Sequence, residues 1–344
     1  MIEILDCPTP VTVQDGGRPG YRHIGVPLSG ALAPEWLAIA NALVGNPASS
    51  AALEMRLLGL RLRATAPVTL ALAGPCMAQI EDLSGELRQA AAWCGHSLAR
   101  GETLIVGRLH EGIAYLALAG GLDLPAVLGS RSTYVRAGIG GLDGRALQAG
   151  DCLGIGRSSP GQMPVSLRLP QPPHPPTGPL RVIPGPQREY FTDAAWAHLL
   201  SDEFIISREA DRMGLRLDGP RLEHDPACGA DIVSDAVTPG VIQVPGDGRP
   251  IILLADCQTV GGYPKIATVI GADLPRLGRA LPGQMLRFVE VSLAQALAAR
   301  CQAANELAEC VASMVPSGAQ LDLDALYNAN LIDGVIDARQ ANQP

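Results

Sequence analysis

A single lysine, Lys265, is the first residue whose type suggests chemistry. The chain has 344 residues and contains 25 arginines but only one lysine. Where a guanidinium serves at every other cationic position, a retained lysine indicates a need for a compact ammonium that a planar fork cannot replace. The alternative is a lysine that survived by chance on a solvated loop. Composition alone leaves both interpretations open.

The sequence around Lys265 favours the functional interpretation. Lys265 ends the segment Asp256-Cys-Gln-Thr-Val-Gly-Gly-Tyr-Pro-Lys265, which directly follows the apolar run 251–255. Two glycines allow close backbone approach, and Tyr-Pro predicts a stiff turn. Binding groups commonly lie at such strand-to-loop junctions. We therefore predict a site with catalytic Asp256, Gln258 and Lys265, and with Thr259, Gly261, Gly262 and Tyr263 contacting the substrate.

Further polar residues are candidates for substrate contact, each with a structural alternative. Gln14, Asp15 and Arg18 lie in a glycine-rich turn whose backbone amides could face an anion, but a hairpin with a surface ion pair is equally consistent. Ser29 is either a substrate contact or a helix N-cap. Glu54 follows an apolar run and is expected to be a half-buried acid.

Composition and motifs exclude several classes of function. The net charge is −8 and the basic residues are scattered, so we expect no nucleic-acid partner. No Gly-Lys-Ser/Thr phosphate loop is present, and the lone lysine does not lie in a biotin-carrier motif. The eight cysteines include no CxxC pair and no zinc spacing with histidine, so we predict no metal site and reduced, mostly buried thiols.

The sequence also predicts a cytoplasmic protein without a membrane segment. Two acids in the first six residues do not suit a secretory signal. The apolar runs 66–80 and 113–129 are interrupted by glycine and proline, and they are shorter than the roughly 20 residues of a membrane helix.

A proline-rich stretch predicts two domains. Ten prolines lie between Ser158 and Pro186, and proline cannot donate within a sheet or a helix interior. We place an N-terminal domain at 1–160, a linker at 161–180, a C-terminal domain at 181–290 and a helical extension with a tail at 291–344. Short apolar runs separated by Gly, Pro and Asp predict a mainly β fold, as in barrels and sandwiches. Helical patterns occur at 34–44, 192–200 and 292–315.

The two halves share four short sequence motifs in the same order, which indicates a duplicated unit. The first pair is Gly59-Leu-Arg-Leu62 with Gly214-Leu-Arg-Leu217, and the last is Gly144-Arg-Ala-Leu147 with Gly278-Arg-Ala-Leu281.

Several motifs together resemble the biotin-dependent carboxyltransferase family. They are Val13–Gly30, Ala40–Asn46, Ala52–Glu54, Glu209–Gly214 and Asp256–Lys265, and the resemblance runs from about residue 3 to 290. That family includes components of 5-oxoprolinases, allophanate hydrolase-type proteins and urea carboxylases. The resemblance implies two cyclophilin-like β-barrel domains. It also implies a heteromeric complex with a B-type partner protein and an A-type hydrolase.

The resemblance further implies an activity. We expect an ATP-dependent opening of 5-oxoproline to glutamate, in which ATP is shared with a partner protein and Lys265 and Arg212 stabilise negative charge. Asp256 and Gln258 would orient the ring amide. The first alternative is a carboxyltransferase for urea or a related amide that receives its carboxyl group from biotin on another chain. The second is a regulatory binding module without turnover.

Overall fold

The computed structural model describes residues 1–156, 166–174 and 176–317. About 36% of the chain is strand and 19% is helix, so the fold is mainly β, as the sequence predicts. One sheet is nearly closed into a barrel. The last part of the predicted tail, 318–344, and part of the predicted linker lie outside the described residues.

The larger sheet is formed almost entirely by the first half of the chain. It contains 12 strands: β1 (Ile2–Asp6), β2 (Val11–Gln14), β3 (Ala52–Leu58), β4 (Arg61–Ala64), β5 (Val68–Ala73), β6 (Cys76–Glu81), β7 (Leu87–Ala90), β8 (Cys94–Leu98), β9 (Thr103–Leu118), β10 (Cys152–Leu153), β11 (Leu167–Arg168) and β22 (Val315–Pro316). Strand β9 has 16 residues and pairs with β3, β4, β5 and β6 along its length, so it joins both sides of the barrel.

The smaller sheet belongs to the second half. Its eight strands are β12 (Leu180–Pro184), β13 (Phe204–Ala210), β14 (Gly214–Asp218), β16 (Val241–Gln243), β17 (Ile251–Leu253), β19 (Lys265–Val269), β20 (Met285–Leu286) and β21 (Phe288–Glu290). A separate two-stranded ribbon pairs β15 (Asp235–Ala236) with β18 (Val260–Gly261). Lys265 is thus the first residue of a strand, and not part of a solvated loop.

Four α-helices lie among the described residues: α1 (Pro34–Leu43), α2 (Asp193–Ser201), α3 (Leu274–Arg279) and α4 (Leu293–Ala312). Pro34 stands in the first turn of α1, where its missing N–H costs no hydrogen bond. The N-cap of this helix is Ala33, so Ser29 does not have the capping role considered from the sequence. Ser292 and Gln295 form a capping box at the start of α4.

One hydrophobic core is shared by the two halves. Trp36 of α1 packs edge-on against Trp93 with 5.2 Å between ring centroids, and the same cluster contains Leu215 and Ile252 of the smaller sheet. Strands change from the larger to the smaller sheet between β11 and β12, within the predicted linker. The exact domain boundaries and the duplication remain predictions. In the last of the four sequence matches, residues 144–147 lie in turns, whereas residues 278–281 contain the end of α3.

Two sequence expectations concern membranes and thiols. No helix in the described ranges is long and apolar enough to cross a membrane. The expectation of mostly buried cysteines is wrong: only Cys257 is buried, whereas Cys152, Cys228 and Cys301 are exposed. Cys152 lies in the short edge strand β10, Cys228 lies in a turn, and Cys301 lies on the outer face of α4. None of the three side chains faces a core.

Candidate active site

Three predicted residues that are distant in sequence form one buried ionic cluster between the halves. Glu54 lies on β3, Arg212 lies in the turn between β13 and β14, and Asp256 follows β17. The Arg212 guanidinium binds the Asp256 carboxylate through two hydrogen bonds, Nε to Oδ2 at 2.8 Å and Nη2 to Oδ1 at 3.1 Å. Its Nη1 pairs with Glu54 Oε1, and its Nη2 donates to the Gly30 carbonyl at 2.6 Å. The cluster therefore joins the two sheets.

Burial and the neighbouring charges have opposite effects on the pKa of Arg212. Burial alone lowers the pKa of this guanidinium, but the neighbouring Glu54 and Asp256 carboxylates more than offset the effect, so the pKa lies above its ordinary value. The Glu54 side chain is fully buried, whereas the sequence predicts a half-buried acid. An unpaired carboxylate at such a position would carry a large desolvation penalty, so both acids need Arg212 as their partner.

Tyr115 completes the cluster from the strand next to Glu54. The two residues are cross-strand partners in the β3–β9 pair, and the Tyr115 hydroxyl donates to Glu54 Oε2 at 2.6 Å. The Ala33 N–H donates to the same hydroxyl oxygen, and the Leu32 N–H donates to Glu54 Oε2. Burial and the Glu54 charge together raise the pKa of Tyr115 well above its ordinary value. This phenol is therefore a fixed hydrogen-bond donor.

Lys265 lies under the β15–β18 ribbon. Its side chain is only 2% exposed, and Nζ pairs with the carboxylate of Asp235 in β15. Nζ also donates to the Ala236 carbonyl at 3.3 Å. The Lys265 ammonium lowers the pKa of Asp235. An ammonium has three N–H donors, and within the described part of the chain only two of them have a partner.

Two glutamines connect Lys265 to the rest of the predicted segment. Gln243 on β16 is the cross-strand partner of Lys265, so the two side chains lie on one face. Gln258 Nε2 donates to Gln243 Oε1 at 3.3 Å, and Gln243 Nε2 donates to the Tyr263 carbonyl at 3.3 Å. Gln243, Gln258 and Tyr263 line one cavity of about 410 Å³. The segment 256–265 thus contributes both to the ionic cluster and to a polar cavity.

The remaining residues of this segment contribute through the backbone. The Thr259 carbonyl accepts from Val237 N–H at 3.1 Å, and the Gly262 carbonyl accepts from Ile232 N–H at 2.9 Å. Gly261 lies so close to Gln243 that an added Cβ would stand 2.5 Å from its Nε2 atom. These three residues hold the ribbon against the glutamine pair.

The predicted N-terminal contacts are buried, so the alternative of a surface ion pair in this turn is wrong. Asp15 accepts at 2.6 Å from Ser130 Oγ and from the Arg131 N–H, and it also accepts from Ser132 Oγ. Arg18 is fully buried and donates to the Ser132 carbonyl. The turn is therefore internal, but Arg18 Nε and Nη1 are buried without a hydrogen-bond partner among the described residues.

Gln14 and Ser29 belong to the same buried region. Gln14 Nε2 donates to Thr12 Oγ1 at 3.0 Å and to the Thr133 carbonyl at 3.1 Å. Ser29 has a φ of 52°, and its N–H donates to the Ala255 carbonyl at 3.0 Å. This bond joins the loop before α1 to the residue before Asp256, so Ser29 fixes the relative position of the two halves.

Several important residues are not identified from the sequence. Asp235, Gln243 and Tyr115 have no local motif: an aspartate in a polar loop, a glutamine ending an apolar strand and a tyrosine inside a long apolar run are all common. Their significance comes from contacts with residues distant in sequence. Asp235 contacts Lys265 across 30 residues through its side chain. Gln243 pairs with Lys265 across 22 residues, and Tyr115 with Glu54 across 61. No group of three or more metal-ligating side chains occurs in the residues that the structure covers.

This fold and site define a class of protein. The chain belongs to the carboxyltransferase-domain family, because the family model described as "Carboxyltransferase domain, subdomain A and B" matches residues 24–290. Helix α4 lies beyond the matched range.

Individual proteins with known names are also similar to this chain. The chain is 40% identical over 312 residues to the C subunit of 5-oxoprolinase from Escherichia coli (strain K12), covering 87% of this chain and 94% of that protein. It is 32% identical to urea amidolyase of Lachancea kluyveri, covering 82% of this chain but only 16% of that protein. The crystal structure of K. lactis urea amidolyase superposes with a TM-score of 0.82 and 29% identity, covering 90% of this chain and 20% of that one.

Proposed function

We propose that this chain is the C-type component of an ATP-dependent 5-oxoprolinase, which opens 5-oxoproline to glutamate together with partners of the A and B types. One observation carries the choice of substrate. The similarity extends over 94% of the E. coli protein named as the C subunit of 5-oxoprolinase, at 40% identity. The urea amidolyases, by contrast, are several times longer than the region they share with this chain.

The polar cavity supports a small amide substrate. A glutamine side chain carries both a carbonyl acceptor and an NH₂ donor, which complement the N–H and C=O of a lactam. Gln258 Oε1 has no hydrogen-bond partner among the described residues, and Gln258 lines the cavity together with Gln243 and Tyr263. We assign Gln258 to orient the ring amide and Lys265 to stabilise negative charge through its remaining N–H.

The ionic cluster supports a positioning role for Arg212, Asp256 and Glu54. Arg212 already makes four contacts to Asp256, Glu54 and Gly30. A guanidinium held in this way fixes β3 and the loop before α1 relative to the turn before β14. Asp256 begins the segment that contains Gln258, so the cluster sets the place of the glutamine. We therefore assign these three residues to organise the site around the reacting amide.

ATP would supply the energy for opening an unactivated lactam, and its binding is better suited to a partner protein than to this chain. Phosphate loops place glycines before a helix N-terminus, but Gly261 lies in β18 and Gly262 precedes β19. The chain also has no Gly-Lys-Ser/Thr motif. Its own contribution is then the binding and orientation of the lactam.

The second candidate function is carboxyl transfer to urea or a related amide. The superposition on K. lactis urea amidolyase at a TM-score of 0.82 favours it. Biotin would have to come from another chain, because the lone lysine is buried and paired with Asp235. The same Gln258 amide would then orient the acceptor nitrogen.

Reconstitution with the proteins encoded beside this chain separates the two functions. The purified complex is given 5-oxoproline and ATP in one assay, and urea, bicarbonate, ATP and a biotinylated carrier in the other. We expect glutamate to form only when ATP and every component of the complex are present. Carboxyl transfer to urea without glutamate formation would instead establish the carboxyltransferase function.

A further inference from the structure

Two arginines line the same cavity as the glutamines. Arg136, within the short 3₁₀ helix Val135–Ala137, and Arg208 on β13 line the same 410 Å³ space as Gln243, Gln258 and Tyr263. The volume lies within the range of about 300–1,000 Å³ typical of small-molecule sites. The cavity therefore presents both amide and guanidinium groups.

The other charged groups of this cavity are already paired. Arg216 Nε binds Glu209 Oε2 at 3.1 Å. Asp211 Oδ1 accepts from the backbone N–H groups of Met213 at 2.7 Å and Gly214 at 3.1 Å.

Arg136 and Arg208 differ from these groups. Neither forms an ion pair or a side-chain hydrogen bond with any residue in the described ranges. Both side chains are exposed to solvent at the cavity. A guanidinium presents its N–H donors in a planar fork that matches a carboxylate and binds it through two parallel hydrogen bonds. The cavity consequently contains two guanidinium groups available to an anion.

We propose that Arg136 and Arg208 bind the carboxylate of the substrate and make this site selective for an acidic lactam over a neutral amide. The inference rests on the proposed function and specifies its substrate class. With the carboxylate held by the arginines, the ring amide would be free to contact the glutamines that line the same cavity. Urea and other uncharged amides would leave both arginines without a partner.

The test measures binding directly, without turnover. Calorimetric titration of the full-length chain compares 5-oxoproline with 2-pyrrolidinone, which has the same lactam ring but no carboxylate. Arg136→Ala and Arg208→Ala are compared with Arg100→Ala, which makes the same change of charge in the exposed turn between β8 and β9. Because both cavity arginines are exposed, their removal leaves the core intact.

We expect the wild-type chain to bind 5-oxoproline at least about tenfold more tightly than 2-pyrrolidinone. Each cavity variant should weaken 5-oxoproline binding by about 10- to 100-fold, the range for a lost charge-assisted hydrogen bond. Binding of 2-pyrrolidinone should not change, and Arg100→Ala should behave as wild type. Equal affinity for the two lactams, or cavity variants that bind 5-oxoproline as wild type does, would overturn the inference.

The two proposals fail in different ways. A complex that forms glutamate while the chain does not discriminate between the lactams overturns the arginine assignment alone. The opposite result is also possible: the chain binds the carboxylate selectively through Arg136 and Arg208, but its complex forms no glutamate. That result supports the arginine assignment and overturns the proposed reaction.

Discussion

Arg212 and Glu54 are 158 residues apart in the sequence, yet their side chains form a buried ion pair between the two sheets. Asp256 binds the other edge of the same guanidinium. Since each carboxylate depends on this one cation, the cluster responds as a unit when the arginine is removed.

Replacement of Arg212 by alanine should be strongly destabilising. It leaves Glu54 and Asp256 buried without a counterion, and breaking a buried pair in this way costs about 3–5 kcal/mol. The free energy of unfolding in urea measures the effect. Arg249→Ala is the matched control, because Arg249 pairs with Asp218 at 3.5 Å on the exposed surface, where such pairs contribute about 0–1 kcal/mol. Equal losses of unfolding free energy in the two variants would contradict the conclusion that Arg212 holds the two sheets together.

Tyr115→Phe should have a smaller but measurable effect. The variant removes the hydroxyl that donates to Glu54 and accepts from Ala33 N–H, while the ring keeps its packing. Leaving these buried groups unpaired costs about 1–3 kcal/mol. We expect that loss in urea unfolding. A variant as stable as wild type would show that the hydroxyl does not support Glu54.

Gly261→Ala should affect substrate binding more than folding. The new Cβ would stand 2.5 Å from Gln243 Nε2, and this flexible amide would move and lose its contact with Gln258. We expect the KM for 5-oxoproline to rise by up to about tenfold, the value of a lost hydrogen bond. Gly246→Ala is the control, because Gly246 lies outside the site and its added Cβ would have its nearest neighbour at 3.5 Å. Equal KM values for the two variants would argue against the glutamine pair.

The Lys265–Asp235 pair predicts a specific dependence of stability on pH. Lys265 lowers the folded-state pKa of Asp235 below its unfolded value. The stabilisation is therefore complete above the unfolded pKa, and it is lost as the pH falls through the folded-state pKa. Thermal unfolding of wild type and Asp235→Asn should differ most near neutral pH, and the difference should shrink below about pH 4. A difference that does not change with pH would exclude this pairing in solution.

Sequence patterns predict the local features of this molecule better than they predict the contacts between its two halves. The helix starting at Pro34 follows from proline chemistry, and the functional interest of segment 256–265 follows from its residue types. The burial of Lys265 does not, because the Asp235 ribbon that covers it is paired only in the folded chain. For the same reason, an alternating-charge segment suggests a solvated turn, although its Arg212 lies between two buried acids.

Glutamate formation by the reconstituted complex with Lys265→Arg is the most direct test of the account. Lys265 has a compact ammonium with one remaining donor beside the glutamine pair, and a guanidinium cannot occupy this buried place in the same geometry. If Lys265 stabilises the charge that develops on the lactam, kcat should fall by about 100-fold or more, while the folded variant still joins its partners. A folded Lys265→Arg variant that supports undiminished glutamate formation would contradict this role.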